Sequence, residues 1–209
     1  PATDPDMILL PDPNSIRLVP WAKDPVAQVI HDCYNSDGTP VDLSPRYVLR
    51  RVLKLYEDMG WEPVVAPEME FYIVDVNRDP DLPLQPPLGR TGRPETGRKA
   101  YSIDAVNEYD DMFEDIYDYC DAQNLAIDTL IHEVGACQME INFLHGDALD
   151  LADQVFLFKR TVREAAIRHN MYATFMAKPM ENEPGSAMHI HMSLKDRQTG
   201  KNVFSNPDG

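Results

Sequence analysis

Residues 66–75 read Ala66-Pro67-Glu68-Met69-Glu70-Phe71-Tyr72-Ile73-Val74-Asp75, and this stretch decides the fold. Aromatic and β-branched residues follow Met69, which predicts a strand. Side chains alternate faces along a strand, so Glu68 and Glu70 point the same way. Two like charges side by side on one face repel, and the pattern calls for a neutralising partner.

Two later stretches carry the same oddity. In LIHEVGACQMEINF (130–143), Glu133 and Glu140 fall on successive strands. A turn centred on Ala136-Cys137 would set them directly opposite each other, a destabilising arrangement for like charges. In GSAMHIHMS (185–193), His189 and His191 stand at i and i+2. A lone E-x-E or H-x-H more often marks a solvated strand face. Their conjunction, in this order, is specific. It predicts that Glu68, Glu70, Glu133, Glu140 and His189 converge on one face of an antiparallel sheet around a divalent cation. Carboxylates suit Mg²⁺ and Mn²⁺, and one imidazole among them suits Mn²⁺ or a permissive Mg²⁺ site.

Around these strands the chain mixes both element types. Residues 7–34 read as short strands, at 7–10, 15–21 and 25–34, separated by Asp-Pro turns. SPRYVLRRVLKLYEDMG (44–60) reads as a helix with Ser44 as N-cap, Pro45 at its first position and Gly60 beyond its end. Its apolar stripe is Val48, Leu49, Val52, Leu53, Tyr56 and Met59. Residues 77–100 form a loop rich in Pro, Gly and Arg, a length usually kept for function. Residues 105–124 read as one amphipathic helix with Tyr109, Met112, Phe113, Ile116 and Cys120 on its apolar face, and 147–170 as a long helix capped by Asp147. Strands are expected at 126–134, 137–144, 172–179 and 186–196. Antiparallel-looking strand pairs interspersed with helices predict an α+β fold.

The 209 residues carry 19 basic and 35 acidic side chains, a formal charge of −16. That balance argues against nucleic acid and anionic membranes as partners. Apolar content of 43% supports a real core. No apolar run reaches the ~18 residues of a membrane span. Cys33, Cys120 and Cys137 form no metal-type pair or even disulfide set, which points to a reducing cytoplasm. Both ends look cut, so the chain is expected to be a fragment.

The ordered blocks PEMEFY, IHEVGACQME and GSAMHIHMSL resemble the catalytic domain of the glutamine synthetase family, and PDMILLPD resembles the end of its N-terminal β-grasp domain. The resemblance implies residues 1–43 as the C-terminal part of that β-grasp domain and 44–209 as the first part of the catalytic domain. By position it implies that Glu70, Glu133 and Glu140 hold one metal, Mg²⁺ or Mn²⁺, and that Glu68 and His189 hold a second. Asp128, His191 and Ser193 match positions near the nucleotide, and Gly185 matches a glycine whose backbone helps hold glutamate. Catalytic arginines are expected beyond Gly209. The implied activity is an ATP-dependent ligase acting on glutamate and an amine, in a homo-oligomeric ring. Three departures bear on the amine and nucleotide contacts. Pro184 stands where many ammonia-using members have Asn, Ile131-His132-Glu133 where His-His-Glu is common, and Asp128 where a glutamate is usual. The E-P-G-S-A-M-H-I-H and Q-M-E-I-N-F stretches look more like the branch that joins glutamate to putrescine or another polyamine. An ammonia-using glutamine synthetase, or a catalytically silent member that only binds metal or nucleotide, are the alternatives.

Overall fold

The computed structural model describes residues 6–206. In chain order the elements are β1 (Ile8–Pro11), a 3-10 turn (Pro13–Ser15), β2 (Arg17–Leu18), β3 (Ala27–Gln28), β4 (His31–Tyr34), α1 (Pro45–Asp58) and β5 (Trp61–Asp75). There follow α2 (Ile103–Asn107), α3 (Asp110–Ala122), β6 (Ile127–His132), β7 (Gln138–Phe143), β8 (Gly146–Asp147), α4 (Ala148–Arg168), β9 (Met171–Thr174) and β10 (Met188–Asp196). The fold is α+β, as the mixed pattern predicts. Strands β10, β5, β7 and β6 lie in that order in one sheet, with β8 and β9 also paired to β5. Every strand pairing with a resolved register is antiparallel.

The chain divides into two compact units, one of 6–65, 145–153 and 191–206, the other of 66–144 and 154–190. By its contacts the chain first parts between Val65 and Ala66. In the first unit, β1 pairs with β4 and β2 with β3. Helix α1 begins where expected: Ser44 is extended at the N-cap, although its side chain makes no capping bond, and Pro45 opens the helix. The expected apolar stripe of α1 is not buried; Val48, Val52 and Met59 are exposed. Arg46 ties the unit together. Its guanidinium bonds Asp12 at 2.5 Å, Asp32 at 2.6 Å and Asp153 at 2.9 Å. These carboxylates hold the Arg46 guanidinium well above its ordinary pKa, Asp153 most strongly. Arg46 in turn holds Asp12 below the usual carboxylate range.

The second unit contains the main core. Phe71, Ile73, Met139 and Ile141 are fully buried on their strands. Phe158 of α4 packs edge-on against Phe71 and Phe143, with ring centroids 6.4 and 5.2 Å apart. Each such aromatic, fully buried, stabilises by about 1.5–3 kcal/mol. The predicted stripe of α3 is buried as expected, from Tyr109 to Cys120. Gln123 joins α3 to α4, its Nε2 donating to Tyr119 O and Thr161 Oγ1, both at 2.9 Å.

Three local expectations are corrected. The helix expected over 105–124 is two, α2 and α3, separated at Glu108-Tyr109, because Glu108 turns to the preceding loop. Its carboxylate accepts from the Thr91 N–H at 3.1 Å and its carbonyl from the Arg90 N–H at 3.0 Å. The strand expected over 172–179 ends at Thr174, where its pairing with β5 stops. The strand expected over 25–34 is broken into β3 and β4. The Ser15 hydroxyl accepts from the Ile30 N–H between them at 2.8 Å.

Candidate metal centre

Strand β5 sets Glu68, Glu70 and Tyr72 on one face by simple alternation. The antiparallel register places Asn142, Glu140 and Gln138 of β7 directly opposite them. Residues on the other face, Met69, Phe71, Met139 and Ile141, enter the core. One sheet thus separates an apolar face from an acidic one.

The sequence placed Glu133 directly opposite Glu140, and the register differs. Ile131 stands opposite Glu140, and the Glu133 N–H donates to Gln138 O at 2.8 Å. The turn centres on Gly135-Ala136 rather than Ala136-Cys137. Cys137 takes the left-handed conformation at φ +58°, which closes the turn one residue early. The shift is by two residues along β6, so Glu133 keeps its face. Like charges do oppose each other directly, but they are Glu70 and Glu140.

Glu70 is 9% and Glu140 6% exposed. Burial pushes the Glu140 carboxyl up to about 7, and the Glu68, Glu133 and Glu70 carboxylates add to the effect. Among the described residues, neither Glu70, Glu133 nor Glu140 is ion-paired. His189 of β10 lies with its Nδ1 3.2 Å from Glu68 Oε2. Glu68, Glu140 and His189 each offer a ligand atom, all within 4.8 Å of one another. A buried carboxyl crowded by neighbouring carboxylates and meeting an imidazole is a donor set that fits a hard divalent cation. Glu140, expected beside Glu70 and Glu133, stands directly across from Glu70 and also close to Glu68 and His189. Glu70 accepts two hydrogen bonds at Oε2, from Gln138 Nε2 and from the Ala187 N–H, each at 3.0 Å.

The other expected residues lie as follows. Asp128 is exposed on β6, beside an irregularity between Ile127 and Leu130, and its carbonyl accepts from the Tyr117 hydroxyl at 3.0 Å. His191 is exposed and Ser193 half-buried on β10, alternating with His189 along the strand. Gly185 has the Ala177 carbonyl so close that a Cβ would lie 2.7 Å from its oxygen, so only glycine fits. Its own carbonyl accepts from Gln138 Nε2 at 3.0 Å.

Sequence reasoning missed the residues that hold the turn. The N–H groups of Gly135, Ala136 and Cys137 donate to Gln138 Oε1, Glu183 Oε2 and Glu95 Oε2 at 3.0, 3.1 and 3.0 Å. Glu95 comes from the long loop and also meets His132 Nε2 at 3.0 Å on the core side. His132, the hydrogen-bonded Cys137 backbone and its thiol hold Glu95 below its usual range against the opposing pull of burial. One signal was available: Gln138 and Glu140 stand at i and i+2, as Glu68 and Glu70 do.

Fold and cluster together define an α+β protein built around an acidic sheet face. A family model described as the glutamine synthetase catalytic domain matches residues 42–209, and the chain belongs to that family. It is 39% identical to gamma-glutamylputrescine synthetase PuuA of Escherichia coli (strain K12) over 210 residues, covering 99% of this chain and 44% of that protein. It is 37% identical to the glutamine synthetase of Pyrococcus horikoshii over 207 residues, covering 99% of this chain and 43% of that protein. A solved structure titled as a GmaS/ADP complex superposes with a TM-score of 0.83 at 27% identity, over 99% of this chain and 45% of its own. The chain therefore spans less than half the length of these relatives. Among the described residues, no helix is long and apolar enough to cross a membrane.

Proposed function

We propose that the intact protein is a cytoplasmic, ATP-dependent ligase that joins the γ-carboxylate of glutamate to an amine, with putrescine or another polyamine as acceptor. The observation that carries this reading is the crowding of Glu68, Glu70, Glu133 and Glu140 on one face, with Glu140 raised to about 7 and His189 beside Glu68. So much negative charge crowded in a folded site is stabilised by bound cations. Family membership and the 39% identity to a gamma-glutamylputrescine synthetase support the reaction class and the amine.

A carboxylate is a poor electrophile, so its activation as γ-glutamyl phosphate at the expense of ATP precedes attack by the amine. Bound Mg²⁺ or Mn²⁺ supplies charge neutralisation for the phosphates of that transfer. Glu70, Glu133 and Glu140 are assigned to one ion, and Glu68 and His189 to the other. Glu140 stands close enough to Glu68 and His189 to serve both. Asp128, His191 and Ser193 are assigned to the nucleotide, a role supported by a structural relative titled as an ADP complex. Gly185 is assigned to glutamate through its backbone. The intact protein is expected to form a homo-oligomeric ring.

An ammonia-using glutamine synthetase is the second reading, favoured by the 37% identity to the Pyrococcus horikoshii protein. The test is ATP- and glutamate-dependent phosphate release by the intact protein, with ammonia, putrescine and longer polyamines side by side. Turnover highest with a polyamine is expected. Turnover with ammonia alone overturns the choice of amine, and no turnover with any acceptor overturns the ligase reading.

A further inference from the structure

Gln138 is 1% exposed and carries no charge, and its amide is engaged by protein partners at both ends, yet it lies on the acidic face two residues from Glu140. Its Nε2 donates to Glu70 Oε2 and to Gly185 O, both at 3.0 Å. Its Oε1 accepts from the Gly135 N–H at 3.0 Å. The amide orientation is forced, because the carboxylate and carbonyl can only accept and the N–H can only donate. Tyr72, paired with Gln138 across the strands and fully buried, completes the arrangement. Its single hydroxyl proton is shared between Pro184 O at 2.6 Å and Gln138 Oε1 at 3.2 Å.

These contacts grip a continuous segment. Glu183 is held through its carboxylate by the Ala136 N–H, Pro184 by its carbonyl and Gly185 by its carbonyl. Ala187 is held by its N–H on Glu70 Oε2. Two residues further on stands His189. The segment that delivers the imidazole is thus tied to the strands that deliver the carboxylates, and the tie passes through one amide and one phenol. Both bonds to Glu70 fall on Oε2, so the plane of its carboxylate is set from behind and Oε1 is left to meet a cation.

We propose that Gln138 and Tyr72 are positioning residues that set the Glu70 carboxylate and the 183–189 segment together, so that cation affinity depends on two groups that bind no cation. The proposal rests on the metal reading given above. In a merely structural role the two residues would contribute stability but leave the affinity of the folded protein unchanged.

The probe is Mn²⁺ alone, titrated into the intact metal-free protein and followed by the electron paramagnetic resonance signal of free Mn²⁺. The variants are Tyr72→Phe, which keeps the buried ring, and Gln138→Met, which keeps the volume. Thermal unfolding in chelator is measured alongside. The expected result is Mn²⁺ affinity weakened about three- to tenfold in Tyr72→Phe and more than tenfold in Gln138→Met, with cooperative unfolding retained. Unchanged affinity in folded variants overturns the proposal, even if their melting temperatures fall. If Gln138→Met does not fold, Tyr72→Phe alone decides. Failure of the parent to bind Mn²⁺ overturns the metal reading itself, and the positioning proposal with it.

Discussion

Replacing Glu140 by glutamine keeps its volume and removes one charge from the centre of the acidic face. Glu70 stands directly across the strand pair, and ligand atoms of Glu68 and Glu140 lie within 4.8 Å. Two unit charges at about 4 Å repel by about 1 kcal/mol in water and about 4 kcal/mol at an effective dielectric of about 20. For a partly screened cluster the substitution should stabilise the metal-free protein by ~1–3 kcal/mol. That corresponds to a rise in melting temperature of roughly 2–12 °C for a chain of this size. The gain depends on pH in a defined direction. The folded carboxyl is raised to about 7, above its unfolded value. Its contribution to stability is therefore complete below about pH 4.3 and lost as pH rises through about 7. Glutamine does not titrate, so the variant's advantage should vanish below about pH 4.3 and reach its full size near about pH 8. The assay is thermal unfolding of parent and variant in chelator across that range. With excess Mn²⁺ the order should reverse, because the parent gains more from binding. An advantage independent of pH, or a variant less stable than the parent at pH 8 in chelator, would refute the electrostatic account of the site.

Two further substitutions probe the frame around it. Arg46→Met should destabilise by about 3–5 kcal/mol in urea unfolding, because it removes the cation that Asp153 pairs with and leaves Asp12 and Asp32 to the more exposed Arg50; a cost below about 1 kcal/mol would show the network to be water-screened. Glu95→Gln should cost about 1.5–3 kcal/mol through weakened bonds to His132 and the Cys137 N–H. It should also speed hydrogen exchange at the Cys137 amide and at the Tyr101 amide, which donates to His132 O at 2.8 Å, and unchanged exchange at both would show that Glu95 does not hold the turn.

The acidic face was legible because strand alternation is a local rule. Glu68 and Glu70 needed only period two, and the helical stripe of α3 only period 3.6. The register of β6 on β7 was not legible from these rules. It depends on Cys137, a residue with a Cβ, adopting φ +58°, and that conformation is held by Glu95 from 42 residues away. The break between α2 and α3 likewise follows from the use of Glu108 by a loop, which periodicity does not register. How the carboxylates group follows from side-chain ties such as Gln138 to Glu70. Alternation says which face a residue is on, not how far its carboxylate is drawn toward a neighbour. The absence of burial under α1 was equally hidden, since an apolar stripe reports a face able to pack, not one that packs.

The ties around the Gly135–Cys137 turn close long stretches of chain. Gln138 reaches Gly185 across 47 positions, Glu70 reaches Gln138 across 68, and Ala187 reaches Glu70 across 117. Each doubling of such a loop adds only about 0.6 kcal/mol of closure entropy, so distance in sequence weakens the assembled site little. It matters more for the order of events. Contacts so remote form late in folding, after the local helices and hairpins exist. A cation held at this face would then be among the last features acquired in folding. Its occupancy would gauge whether distant parts of the chain have come to their final places, and a lesion far from any carboxylate would announce itself first as a cation no longer held.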